Sequence, residues 1–110
     1  MIVKEKISSE ELEKIFKNSF GSMIKIVVDI ERGFLSAGKE FHIECAEELA
    51  EKEGSLQKNL WGANLYRPNK TIDFISLINI KPAENNRSMD IEDENIRQKV
   101  EKIIRNLLCR

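Results

Sequence analysis

The sequence contains few of the residues and patterns that would reveal a compartment or a chemistry at once. Its two cysteines, Cys45 and Cys109, are far apart and fit neither a disulfide framework nor a CxxC pair, so reduced thiols are expected. The longest apolar runs, at about residues 24–30 and 74–80, are far shorter than the roughly 20 residues of a membrane-spanning helix. The polar start MIVKEK is unlike a signal peptide. These absences predict an uncleaved, cytoplasmic protein without membrane contact.

The chain also lacks an excess of charge of either sign. The chain contains eighteen Lys and Arg residues and nineteen Asp and Glu residues, which gives a net charge of −1. Such a balance provides no overall attraction to nucleic acid, and we expect no nucleic-acid partner unless a basic stripe on the last helix lies beside an exposed Trp61. With 110 residues, 41% of them hydrophobic and 34% charged, the chain is predicted to form one globular domain over residues 1–110.

Motifs for phosphate, metal and nucleophilic chemistry are missing as well. Neither GxxxxGK[ST] nor GxGxxG occurs, and His42-Ile43-Glu44 has the HxE form of zinc deaminases without the PCxxC partner. The sequence therefore predicts no cofactor and no metal site. A Ser-His-Asp trio can be drawn from Ser88, His42 and Asp73, but no nucleophile elbow surrounds the serine.

The first half of the chain alternates between helical and strand-like patterns. Ser8 and Glu11 form a capping box that predicts a helix to about Ser19, with one apolar face formed by Leu12, Ile15, Phe16 and Phe20. Residues 23–31 alternate with period 2, as in a half-buried strand, and residues 34–43 resemble a second strand interrupted at Gly38. Residues 44–53 are predicted to form a short, largely exposed helix.

The second half predicts a hairpin and a final helix. Residues 59–66 and 71–80 flank the turn 67–70, and apolar residues on both faces of the second strand favour a central position in the sheet. Asp93 is a candidate N-cap for the amphipathic helix that follows. The predicted fold is α+β: a largely antiparallel sheet of about four strands, with both terminal helices on one face. The other face could be wet, covered by the middle helix or used for self-association.

A polar loop at residues 85–88 marks the predicted binding edge, because it lies between a strand and a helix start. Arg87 can bind an oxyanion or carboxylate, although nearby acids compete for it. We therefore predict a non-catalytic module that binds a small anionic ligand or a protein partner, including a second copy in a homodimer. Its candidate ligand-binding residues are Asn64, Asn79, Asn86, Arg87 and Ser88.

The alternative is a small hydrolase or transferase that uses the only histidine, His42, as a general base. Arg87 would stabilise an oxyanion, and Asp29 or Glu31 would orient the base or bind a hard cation. The missing nucleophile favours the binding module. These residues also have purely structural interpretations. His42 could be a buried, hydrogen-bonded histidine, and Asp29 and Glu31 could lie on a solvated face of the sheet. Trp61 could likewise be a core residue and not a surface on which a ligand stacks.

Several segments together resemble a family of small, uncharacterised prokaryotic proteins, a domain of unknown function. The most specific are the LWGxN and NRS segments, at residues 60–64 and 86–88. The others lie at residues 20–21, 27–31, 40–42, 54–55, 78–82 and 91–93, so the resemblance extends over nearly the whole chain. It implies no activity, cofactor or catalytic residue.

Overall fold

The computed structural model describes residues 1–19 and 21–109, which form three helices and a five-stranded sheet. The helices are α1 (Ser9–Asn18), α2 (His42–Glu53) and α3 (Glu94–Leu108). The strands are β1 (Ile2–Val3), β2 (Met23–Asp29), β3 (Phe34–Ala37), β4 (Leu60–Tyr66) and β5 (Thr71–Asp73). The strand order is β1-β3-β2-β4-β5, and every neighbouring pair is antiparallel. The predicted α+β class is confirmed, with β1 as an additional edge strand.

Helix α1 begins as its capping box predicts. The Ser8 hydroxyl accepts a hydrogen bond from the Glu11 N–H at 3.1 Å, and the Glu11 carboxylate accepts one from the Ser8 N–H at 3.2 Å. These bonds satisfy two of the N–H groups that a helix start leaves without partners. Leu12, Ile15 and Phe16 are buried on the predicted face. Phe20, predicted on the same face, and the terminal Arg110 lie outside the described residues.

The sheet separates two apolar clusters. On one face, α1 and α3 pack against inward side chains such as Ile26 and Val28 of β2, so both terminal helices share a face as predicted. On the other face, Cys45 and Leu49 of α2 pack against Val27. The middle helix therefore covers part of the second face. In the described part of the chain, no helix is long and apolar enough to cross a membrane.

The prediction of a second strand extending through residues 40–43 is wrong. Strand β3 ends at Ala37, and Gly38 takes a left-handed conformation with φ +92°, which breaks the extended backbone. The Glu44 carboxylate accepts a hydrogen bond from the Phe41 N–H at 3.0 Å and caps a helix that begins at His42. The histidine predicted near a strand end therefore stands in the first turn of α2.

The predicted central strand over residues 71–80 is also wrong, because β5 contains only Thr71–Asp73 and lies at the sheet edge. After it the chain leaves the ladder and forms a 3-10 turn, Leu77–Asn79, which the Ser76 hydroxyl caps by accepting from the Ile78 N–H. The Asn79 side chain instead provides the hydrogen bonds that a neighbouring strand would make to Gly62 of β4. Its Oδ1 accepts from the Gly62 N–H at 2.8 Å, and its Nδ2 donates to the Gly62 carbonyl at 3.0 Å.

Candidate functional site

A cleft of about 510 Å³ lies on the face of the sheet that α2 covers only in part. Its floor consists of sheet side chains: Met23, Lys25, Asn64, Tyr66 and Asp73. One wall is the first turn of α2, and the other is the irregular segment after β5. The wall residues are Phe41, His42, Ile43, Ile75, Ser76, Leu77, Ile78 and Met89. A polar floor between apolar walls is typical of small-molecule sites.

Three polar side chains on the floor are joined by short hydrogen bonds. The Asn64 Nδ2 donates to Asp73 Oδ1 at 2.7 Å and to the Ile75 carbonyl at 3.0 Å. The Tyr66 hydroxyl donates to Asp73 Oδ2 at 2.7 Å, and this bond to a carboxylate raises the pKa of Tyr66 to about 12. Asn64 is 6% exposed, and its Oδ1 makes no hydrogen bond of ordinary geometry among the described residues, although the Asn64 side chain lies close enough to His42 to raise the pKa of that ring. The network therefore leaves one acceptor in the floor of the cleft whose surface is almost completely covered.

His42 is held against the sheet as a neutral imidazole. Its Nε2 lies 3.0 Å from the Ala63 carbonyl oxygen. Because a carbonyl only accepts, Nε2 carries the proton and Nδ1 is an acceptor. Burial lowers the pKa of His42, and the Lys25 ammonium acts in the same direction. The Ala63 carbonyl, Asn64 and the Asp73 carboxylate oppose this change without cancelling it.

The lowered pKa of His42 predicts a loss of stability in acid. Below the ordinary value of 6.5 the unfolded chain binds the proton more readily than the folded chain. The stability that the neutral His42 contributes is therefore fully present above pH 6.5. It is lost as the pH falls through the lower pKa of His42 in the folded chain. Between about pH 8 and about pH 5, the wild type should lose more free energy of unfolding than His42→Gln.

Because the sequence has one histidine, a single imidazole resonance in an NMR titration gives the folded pKa directly. Urea unfolding of both proteins over the same pH range measures the consequence for stability. A midpoint at or above the ordinary value would contradict the burial of a neutral His42.

Ser76, His42 and Asp73 all line the cleft, but their hydrogen bonds do not assemble a catalytic triad. The Asp73 carboxylate accepts from Asn64 and Tyr66, and the Ser76 hydroxyl accepts from the Ile78 N–H. The proton on His42 Nε2 is directed at the Ala63 carbonyl. Triad chemistry needs a serine hydroxyl bonded to the histidine and an acid that orients the same ring. Ser88, the serine drawn from the sequence, does not line this cleft.

Two of the predicted ligand-binding residues, Asn79 and Asn86, hold segments of the chain together through buried hydrogen bonds. Beyond its two bonds to Gly62, Asn79 Nδ2 lies within hydrogen-bond distance of the Phe74 and Met89 carbonyls, at 2.9 and 3.1 Å. Asn86 Nδ2 donates to the Asn79 and Asp90 carbonyls, and its Oδ1 accepts from the Glu92 N–H. Both amides are almost completely buried. Their hydrogen-bonding groups are therefore occupied by the chain itself.

Arg87 and Ser88 lie in an exposed loop beside α3. Their backbone N–H groups donate to Glu92 Oε2 at 3.0 and 2.8 Å. Hydrogen bonds from Ser88 and Arg87 lower the pKa of Glu92, and the Arg87 charge acts in the same direction. The structure thus brings His42 and Asn64 together in one cleft, but not the residues of the loop. Their predicted role in ligand binding stays a prediction.

The two acids of the first predicted strand also lie outside the cleft. Asp29 is buried: its Oδ1 accepts from the N–H groups of Glu31 and Arg32 at 3.1 Å, and its Oδ2 accepts from the Ser55 hydroxyl at 2.7 Å. Glu31 stands in the exposed turn after β2. Across the described residues no group of three or more His, Cys, Asp or Glu side chains could hold a metal ion. Asp29 therefore organises the β2–β3 turn.

The model of a family of proteins of unknown function, DUF5674, matches residues 1–107. The chain belongs to this family. No curated protein and no solved structure matches it. The family assignment supplies no activity, in agreement with the resemblance found in the sequence.

Sequence reasoning identified His42 and Asn64 but missed Lys25, Tyr66 and Ser76 as residues of the same cleft. The hairpin contained a usable signal. A turn at residues 67–70 places Asn64 opposite Asp73, and Tyr66 lies two residues away on the same side of β4. No comparable signal marks Ser76, because its position depends on the irregular backbone after β5.

Proposed function

We propose that this protein is a non-catalytic binding module whose ligand occupies the cleft beside His42. The observation that carries the proposal is the Asn64 Oδ1, which makes no hydrogen bond of ordinary geometry among the described residues and belongs to a residue that lines the cleft and is 6% exposed. A buried polar atom without a hydrogen bond destabilises the fold by roughly 1–3 kcal/mol. A ligand that displaces the side chains covering this oxygen and donates to it would recover part of that free energy on binding.

The cleft favours a ligand head with N–H or O–H donors and little net charge. Asn64 Oδ1 and His42 Nδ1 are both acceptors, whereas Lys25 and Asp73 place one positive and one negative group on the same floor. A primary amide or an amino-heterocycle fits this set. The anionic ligand predicted from the sequence depended on Arg87, which does not line the cleft.

The walls supply apolar contact for the rest of the ligand. Phe41, Ile75 and Leu77 are 55%, 41% and 71% exposed. Large apolar side chains clustered around a polar floor indicate a binding surface, because a protein without a partner rarely leaves such a group open to water. We also propose that the module acts in the cytoplasm, where its two buried thiols would stay reduced.

A hydrolase or transferase based on His42 has less support. The arginine assigned to the oxyanion does not line the cleft, and Ser76 and Asp73 have hydrogen bonds elsewhere. A neutral imidazole with an accepting Nδ1 serves binding as well as proton transfer. Ligand binding therefore explains these contacts without the nucleophile and the oxyanion-stabilising residue that a hydrolase or transferase would need.

We expect benzamide to bind in the cleft and to be detected in two-dimensional ¹H–¹⁵N NMR spectra. The side-chain amide of Asn64 and the backbone amides of residues 75–78 should shift, because the ligand contacts both the floor and a wall. The Asn69 side chain, exposed in the β4–β5 turn, serves as an internal control and should not move. Benzoate, which lacks the donor, should bind at least about tenfold more weakly, which is about 1.4 kcal/mol.

Arg87→Ala separates the cleft from the loop as the binding site. Binding of benzamide unchanged in this variant supports the cleft. Benzoate bound more tightly than benzamide, with Arg87→Ala removing that binding, would instead favour the loop. No shift at Asn64 with either benzamide or 2-aminopyridine would overturn the proposal.

A further inference from the structure

We infer that the ligand carries an apolar tail, which lies in a second cavity alongside α2. This inference rests on the proposed function, because it assumes that a polar head occupies the cleft. The second cavity has a volume of about 150 Å³ and shares two lining residues, Ile43 and Ile78, with the cleft. The two spaces therefore adjoin between the same helix and the same irregular segment.

The second cavity follows one side of α2. Ile43, Ala46, Glu47 and Ala50 line it at helical spacing, and residues 43 and 50 are about 10 Å apart along the helix axis. Leu60 and Ile78 form the opposite wall. A ligand fixed by its head beside His42 can thus extend along the helix for about two turns.

Small side chains make room for this tail. Ala46 and Ala50 stand where larger residues would close the space against Leu60. Ile43 is 51% exposed at the junction of the two cavities, so a bound chain would cover apolar surface that now faces water. The groove therefore suits a linear hydrocarbon chain.

Lys81 also lines the second cavity, but its charge does not define the occupant. Its Nζ is buried, lies 5.4 Å from the centroid of the Trp61 ring, and has no hydrogen-bond partner in the described part of the chain. An ammonium packed over an indole ring is stabilised by the π electrons. Because the indole ring already contacts this ammonium, we assign the side chain's methylene stem to the groove, where it adds to the apolar surface.

The structure thus assigns to this protein an amphipathic small molecule, with a neutral donor head on Asn64 and His42 and a short alkyl tail beside Ala50. The primary alkanamides from butanamide to octanamide match this description. Each methylene that enters the groove should increase the affinity about fourfold, the equivalent of 0.8 kcal/mol. The increase should stop once the chain extends beyond the groove.

Ala50→Leu tests the path of the tail with the full chain in isothermal titration calorimetry. This variant should bind octanamide no more tightly than butanamide, while its affinity for benzamide remains that of the wild type. Glu51→Leu is the matched control, since it adds a leucine at the next position of α2 without lining either cavity. It should keep the dependence on chain length.

The outcomes separate the tail from the head. Benzamide binding at Asn64 together with equal affinities for all alkanamides would overturn the tail and leave the binding module intact. Equal losses in Ala50→Leu and Glu51→Leu would also overturn it, because the tail would then lie elsewhere on α2. No shift at Asn64 with any of these amides would overturn the proposed function itself.

Discussion

Replacing Gly62 by alanine is expected to destabilise the protein by about 3 kcal/mol, the upper end of what overpacking usually costs. A Cβ at this position would lie 2.5 Å from the Ser76 Cβ and 3.3 Å from the His42 Cδ2. Ser76 cannot move away freely, because its backbone N–H donates to the Met89 carbonyl at 3.0 Å. One methyl group therefore forces apart β4, the first turn of α2 and the wall after β5. Urea unfolding measures the loss as a lower transition midpoint.

A double-mutant cycle identifies the source of this strain. Ser76→Gly removes the closer of the two contacts, so Gly62→Ala should cost clearly less in that background than in the wild type. An equal cost in both backgrounds would mean that the contact with Ser76 does not decide the effect.

Asn79→Leu should destabilise the protein by about 4 kcal/mol, since several buried hydrogen bonds are lost at once. Leucine has a similar shape but cannot accept from the Gly62 N–H or donate to the Gly62, Phe74 and Met89 carbonyls. The Gly62 N–H, the Gly62 carbonyl and the Phe74 carbonyl lose these bonds, whereas the Met89 carbonyl still accepts from the Ser76 N–H. The same substitution at Asn106, an exposed residue of α3, should change the free energy of unfolding by less than about 0.5 kcal/mol.

The comparison uses denaturant midpoints and hydrogen exchange of the Gly62 amide. Exchange at Gly62 should accelerate strongly in Asn79→Leu and remain slow in Asn106→Leu. If both variants unfold at the same urea concentration, the amide of Asn79 does not hold the segment to β4.

Local sequence patterns predicted the parts of the fold that local physics determines. The capping box of Ser8 and Glu11 fixes the start of α1 within one residue, and the turn at residues 67–70 fixes the β4–β5 register. Period-2 alternation located β2. Each of these signals lies in neighbouring residues, so no knowledge of the tertiary structure was needed.

The path of residues 74–81 depends instead on tertiary contacts. The apolar residues of this segment resemble a central strand when the sequence is read alone. In the structure, however, Phe74 is buried and Leu77 is exposed. The competing arrangement is stabilised by Asn79, whose amide satisfies a strand 17 residues away in the sequence. The loop at residues 85–88 could be identified as polar, whereas its hydrogen bonding to Glu92, four and five residues further along, could not.

The hydrogen bonds between Asn79 and Gly62 also affect the tendency of the protein to aggregate. An unpaired N–H and carbonyl at Gly62 would leave β4 with a free edge, on which a strand from another chain could add. Native sheets commonly close such edges with charges, prolines or bulges. Here one side-chain amide occupies both backbone groups of Gly62, so this stretch of β4 is sealed against edge-to-edge aggregation without the addition of a strand.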